Sequence, residues 1–321
     1  MRTGGIIRIV VGVVVAVLLT ALLVLSLKGV NVFKTWNLYD EGWLSSRSAG
    51  GASSDMTTAE ETVSVSADGI DRIKINWVAG NVEIRSGDGG EITFSESAAM
   101  QLSDSQKMRY SVSGGTLKIE YCSSTVSQVW EWFRFGRYEN PAKDLVVTVP
   151  ASLMGTLEEL DVDGVSAGLD VAGVYGRETS FGTVSGGIEC ADINCDQLNL
   201  STTSGGISGE NCTASKLDID SVSGGADLAG AFEKVNIETV SGGVRLDCTT
   251  APEKIDGDSV SGTITVSLPE GSGFVVELET VSGEISCDFA GTMSGDKITC
   301  GDGSGSYQLN SVSGGVRIEQ N

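Results

Sequence analysis

The chain has 321 residues, of which 43 are glycine, 4 proline and none histidine, and its 21 basic against 43 acidic side chains leave a net charge of −22. Without histidine there is no Ser-His-Asp or Cys-His catalysis, no His-ligated zinc and no neutral-pH proton shuttle of the usual kind. The acidic balance excludes a nucleic-acid partner, which needs a basic face for phosphate, while 40% apolar residues suffice for a core.

Residues 9–27 read IVVGVVVAVLLTALLVLSL, 19 residues without a charge. As a helix rising about 1.5 Å per residue this run covers roughly 28 Å, the hydrocarbon thickness of a bilayer. Signal-peptide cores are shorter and end at a small-x-small site. Here the run ends Leu25-Ser26-Leu27-Lys28, so an uncleaved transmembrane helix is expected. Arg2 and Arg8 precede it and Lys28 and Lys34 follow, so flanking charge decides little about orientation. The acidic, Ser/Thr/Gly-rich remainder suits the outside of the plasma membrane, with residues 1–8 as a short cytoplasmic tail. Trp36, Tyr39 and Trp43 fit an interfacial aromatic belt or, equally, a small packing cluster. Residues 28–61 are expected to form a juxtamembrane stalk and flexible linker.

Strand-like runs then recur through residues 62–150, among them Ile73–Trp77, Val82–Ile84, Leu117–Ile119 and Leu145–Pro150. Ala79-Gly80-Asn81-Val82 looks like a degenerate coil turn, and Val112-Ser113-Gly114-Gly115 carries a tetrapeptide that recurs downstream. This region is expected to be irregular β structure that continues into a solenoid and caps it. Within it Trp130, Trp132, Phe133, Phe135 and Tyr138 form an aromatic segment suited to a sugar ring, a bilayer interface or a partner protein. The competing reading is a plug over the open end of the stack.

Self-similarity dominates residues 151–321. The serine of each Val-Ser-Gly-Gly-like unit falls at Ser166, Ser185, Ser204, Ser223, Ser241, Ser261, Ser282 and Ser313, with steps of 19, 19, 19, 18, 20, 21 and 31. Such a period belongs to solenoids, in which each coil is one stackable unit. Six and four residues before the serine the side chains are mostly apolar, as in Leu198/Leu200, Leu217/Ile219 and Val235/Ile237. Polar residues alternate with them, which is the period of a strand buried on one face. Two residues before the serine stands Ser or Thr in seven of the eight units, and three and five after it mostly apolar residues return (Ile188/Cys190, Val244/Leu246, Ile264/Val266). Each coil therefore reads strand, sharp bend, strand and return, with glycine at the bend for its tolerance of positive φ. The expected fold is all-β: a parallel β-solenoid of about eight coils, a rod on the order of 35–40 Å. The step of 31 implies an excursion in residues 290–305 that covers an exposed end.

The chain resembles the bacterial "putative adhesin" family of unknown function, built on a β-solenoid and often membrane-anchored. The resemblance rests on Ile75…Gly80-Asn81-Val82-Glu83-Ile84, on Leu145–Pro150 and on the coils from Val165 to Val316, and spans roughly residues 60–321. It implies the fold and a surface location, and supplies no catalytic residues.

Asp218, Asp220, Glu238, Asp256, Asp258, Glu277 and Glu279 occupy outward positions of successive coils and are expected to stack as a carboxylate ladder. Laddered carboxylates raise one another's pKa or hold a cation such as calcium. The alternative is a solvated face that keeps the rod soluble. No CxxC pair occurs among the seven cysteines; Cys190 and Cys287 read as core residues, and Cys195–Cys212 and Cys287–Cys300 as conceivable disulfides. The overall expectation is an anchored, non-catalytic surface protein whose partners are membrane lipid, through the helix, and a cell-envelope polymer or membrane protein. No cofactor is expected beyond a calcium ion on the acidic face. The alternatives are a bactofilin-like filament with a cytoplasmic body and exposed apolar terminal coils, and a carbohydrate-active enzyme using paired carboxylates.

Overall fold

The computed structural model describes residues 57–58, 62–122, 141–294 and 297–321. The expected membrane helix at residues 9–27, Trp36, Tyr39 and Trp43, and the aromatic residues Trp130, Trp132, Phe133, Phe135 and Tyr138 lie outside the described residues. Among the described residues no helix is long and apolar enough to cross a membrane.

The first seven strands are β1 (Thr57–Thr58), β2 (Thr62–Ser66), β3 (Arg72–Gly87), β4 (Glu91–Ala98), β5 (Arg109–Ser113), β6 (Thr116–Glu120) and β7 (Lys143–Pro150). One helical turn, α1 (Ala151–Met154), follows. The chain then winds through β8 (Glu159–Ala172), β9 (Tyr175–Thr183), β10 (Ile188–Ala191), β11 (Asn194–Thr202), β12 (Ile207–Ser221), β13 (Ala226–Thr239), β14 (Val244–Cys248), β15 (Lys254–Ser259) and β16 (Ile264–Leu268). It closes with β17 (Phe274–Thr280), β18 (Ile285–Cys287), β19 (Gly291–Ser294), β20 (Lys297–Cys300), β21 (Gly305–Ser311) and β22 (Val316–Gln320).

These strands build two parallel ladders. The first runs β6, β3, β8, β9, β11, β12, β13, β15, β21, β17. The second runs β7, β3, β8, β10, β12, β13, β14, β16, β22, β18, with β3, β8, β12 and β13 long enough to bend from one ladder into the other. At about 4.8 Å per layer, the ten layers so formed span roughly 43 Å. Equivalent residues stack in register: Leu198 on Leu217 on Val235, and Leu200 on Ile219 on Ile237. These residues and Ile188, Leu228, Leu246, Val266 and Ile318 of the second ladder fill one shared core. Each fully buried aliphatic side chain contributes on the order of 1.5–3 kcal/mol.

Spatial order follows sequence order only between β8 and β16. At one end β3 is clasped between β8 and the later pair β6/β7. At the other, the last coil, β21/β22, lies between β15/β16 and the earlier pair β17/β18. The chain thus skips a layer, forms the end coil and returns to fill the gap. This corrects the expectation that successive coils are neighbours: the Ser313 coil, not the Ser282 coil, lies on the Ser261 coil. Residues 62–150 accordingly supply two regular layers as well as caps.

Antiparallel strands close three of the four ladder ends. β5 and β1 cover β6, β4 and β2 cover β7, and the hairpin β19–β20 covers β17. The excursion expected at 290–305 is this last hairpin. Among the described residues nothing pairs with the outer edge of β18.

The coil corner departs from its expected chemistry. None of Gly186, Gly205, Gly224, Gly242 or Gly262 has a positive φ. Glycine is required there because a Cβ on each would lie 1.7–2.0 Å from a backbone carbonyl oxygen of the adjacent layer. Steric approach between layers, not backbone freedom, sets the residue. Positive φ does occur at Gly114 and Gly115, where the same tetrapeptide forms a hairpin turn between β5 and β6 instead of a coil corner. The Ser or Thr two residues before seven of the eight corner serines braces the bend: Thr202 Oγ1 accepts from Gly205 N–H at 2.9 Å, and Ser259 Oγ donates to the Gly262 carbonyl at 2.8 Å.

Candidate functional site

The outward face of the first ladder carries the predicted acidic residues. Five residues before the corner serine the rank reads Asp161, Ser180, Asn199, Asp218, Asn236, Asp256, Gln308, Glu277 in spatial order. Three residues before it the rank reads Asp163, Gly182, Ser201, Asp220, Glu238, Asp258, Asn310, Glu279. The structure brings Asp220, Glu238 and Asp258 into consecutive layers, as expected. It separates Glu277 and Glu279 from Asp256 and Asp258, because Gln308 and Asn310 of the interleaved coil stand between them. Asn310 donates its side-chain amide to Asp258 at 3.0 Å.

A third rank, not foreseen from the sequence, lies beside these two. Lys216, Lys234 and Lys254 stack seven residues before their corner serines. Lys216 pairs with Asp218 at 2.5 Å and Lys254 with Asp256 at 3.3 Å, while Lys297 reaches Glu277 at 4.0 Å. The signal was available as a third outward position of the same strand. The face is therefore a lattice of alternating charge with amides between, and among the described residues no group of three or more Cys, Asp or Glu side chains is placed to hold a metal ion. Two carboxylates of this face respond more to burial and to one another than to the nearby lysines, Lys216 and Lys74. Asp220 is pushed up to about 6 by burial, Glu238 and Asp218, and Asp163 to about 8 by burial and Asp161.

Beyond the corner serines a shallow open groove of about 420 Å³ runs over Gly225 and Gly243, flanked by Asp227 and Arg245. It offers one carboxylate where glycoside hydrolysis takes an opposed pair.

Two further features escaped the sequence reading. Lys143, fully buried, pairs with Glu96 at 2.7 Å, donates to the carbonyls of Gln106 and Tyr121, and lies over the rings of Trp77 and Tyr121. Burial lowers its pKa against the opposing pull of Glu96. The cysteines are rearranged as well: Cys212 meets Cys190, with sulfurs 3.9 Å apart, where Cys195 was the expected neighbour. Cys300 lies against Cys287, and burial and that contact raise its thiol to about 11.

The family model described as Toastrack DUF4097 matches residues 70–319, which run from just before β3 into β22, so the match takes in every layer and leaves the cap strands β1 and β2 outside. The chain belongs to the Toastrack DUF4097 family. The toastrack body is similar in structure to a "putative cell adhesion protein" from Clostridium sporogenes, at 16% identity over 83% of this chain and 100% of that one, with a TM-score of 0.28. A "putative lipid binding protein" from Parabacteroides distasonis is 16% identical over 84% of this chain and 98% of its own, with a TM-score of 0.46. A "putative adhesin" from Bacteroides fragilis is 12% identical over 83% of this chain and 98% of its own, with a TM-score of 0.43. No curated protein matches the chain.

Proposed function

We propose that this toastrack protein is a single-pass, membrane-anchored surface protein whose solenoid displays ranks of polar groups for adhesion or envelope interaction, without catalysis. The observation that carries this reading is the parallel register itself. It repeats the exposed corner serine once per layer over eight layers and aligns carboxylates, amides and lysines beside it, a periodic surface suited to a periodic or extended partner. The uncharged run at residues 9–27 supplies the anchor. The chain enters the solenoid through β1 and β2, over the β6/β7 end. Laddered, lysine-paired carboxylates serve as a solvated face that discourages sideways aggregation. Membrane lipid is the partner of the helix, and a cell-envelope polymer that of the ranks.

Protease added to intact cells tests the placement. Digestion of the body with retention of a tag fused before Arg2 supports display; full protection of the body contradicts it. One observation favours the filament reading as a second choice. The end coil exposes Val281 (66%) and Ile285 (44%), and the hairpin beside it exposes Met293 (73%), which is the apolar terminus that end-to-end assembly needs. A protected body that sediments as a polymer would support it.

A further inference from the structure

The fold brings two cysteines of different coils together in the core. Cys190 lies in β10 and Cys212 in β12, both buried. The chain turns between Glu210 and Cys212 through Asn211, whose φ of 53° lies in the left-handed region. That turn aims the Cys212 side chain back toward Cys190. Opposite Cys190 in the β10–β12 register stands Gly209. A Cβ there would lie 3.0 Å from the Cys190 sulfur and 3.3 Å from that of Cys212. The absence of a side chain at Gly209 lets both sulfurs, and Leu228 Cδ2 at 2.3 Å from the same point, crowd over its Cα. Their other polar contacts are to the backbone: Cys190 donates to the Ser208 carbonyl at 3.5 Å, and Cys212 donates to the Glu210 carbonyl at 3.6 Å and accepts from the Ile193 N–H. Each thiol is the other's side-chain partner, and the 3.9 Å between their sulfurs has to close to about 2 Å for a bond to form.

We propose that Cys190 and Cys212 are a disulfide site, closed by thiol–disulfide exchange with a small-molecule or enzymatic disulfide oxidant as the coils pair. The Cys212 thiolate attacks one sulfur of the oxidant, breaking its S–S bond and releasing one thiol. The Cys190 thiolate then attacks the Cys212 sulfur of the mixed disulfide, forming the Cys190–Cys212 bond and releasing the second thiol. Two protons leave the cysteines and end on the two released thiols, and the oxidant takes up the two electrons. The order of attack follows the contact between the thiols, which lowers the pKa of Cys212 and raises that of Cys190. The bond would staple neighbouring coils in the sequential middle of the stack. It leaves Cys195, against Thr179, as a reduced core residue.

The full chain, purified and refolded in a fixed ratio of glutathione disulfide to glutathione, tests this. No Lys or Arg lies between Arg177 and Lys216, so digestion is at Asp and Glu, where Asp192 separates Cys190 from Cys195 and Glu210 separates both from Cys212. After acid quenching and alkylation, a peptide joining Cys190 to Cys212 is expected. It should be lost in Cys190→Ser and kept in Cys195→Ser, and the oxidised chain should melt at a higher temperature than the reduced one. Alkylation of both Cys190 and Cys212, or a linkage of either to Cys195, overturns the proposal. Because the oxidant is set in the tube, the result stands apart from the side of the membrane on which the body resides.

Discussion

A single methylene decides whether one toastrack coil can lie on the next. Gly205 and Gly206 adjoin in the chain, yet a Cβ on Gly205 would lie 1.7 Å from the Gly186 carbonyl oxygen, while one on Gly206 meets nothing nearer than 4.0 Å. Gly205→Ala should therefore cost at least about 2 kcal/mol by overpacking. Gly206→Ala should be neutral or stabilise by up to about 1 kcal/mol through the unfolded state. Urea unfolding of the two variants reads the contrast, and equal losses would remove the steric account of the corner. The Lys143–Glu96 pair gives a second contrast at this scale. Lys143→Ala leaves Glu96, 5% exposed, as an uncompensated buried charge, and should cost about 3–5 kcal/mol. The double change Lys143→Met with Glu96→Gln should recover part of that loss. Asp163 supplies the pH dependence. Its folded-state value of about 8 lies above the ordinary 3.8, so between these limits the folded chain keeps a proton that the unfolded chain has released. Stability from this group is present at acid pH and lost as pH rises through that window. Asp163→Asn should raise the melting temperature more at pH 8 than at pH 5; a gain independent of pH would contradict the assignment.

Much of each element could be read from the chain, because strand period and corner recur at a nearly constant step. Leu217 and Ile219 point inward and Asp218 and Asp220 outward, as alternation demands. Layer order could not be read this way. Nothing local in Phe274–Thr280 states that it pairs with Gly305–Ser311 rather than with Lys254–Ser259, since all three present the same inward pattern. For that reason the predicted carboxylate ladder was too continuous: Gln308 and Asn310 enter it from the far end of the chain. The glycine at the corner was foreseen but its reason was not, because close approach between layers is a tertiary fact. Interleaving has a mechanical consequence. Truncation after Gly303 removes β21 and β22 from inside the stack, so β17, β18 and their hairpin lose their parallel partners. Loss of far more strand signal than two strands' worth is expected by circular dichroism, with a lower unfolding midpoint. In a strictly sequential solenoid the same cut would merely shorten the rod.

At the scale of the whole molecule, surface display and layer order are one question, since ranks of like groups exist only where layers stack in register. The acidic face, paired with lysines and divided by amides, predicts that calcium gives no larger rise in melting temperature than sodium at equal ionic strength, for want of a site with six or more oxygen ligands. A calcium-specific shift would restore the cation ladder. The most direct test of the architecture is a pair of spin-label distances, taken from Ser185 to Ser282 and from Ser185 to Ser313 at exposed corners of the stack. Interleaving places Ser313 five layers from Ser185, about 24 Å, and Ser282 six layers away, about 29 Å. The account predicts the shorter distance to Ser313, although that residue is farther along the chain; the reverse order would contradict it.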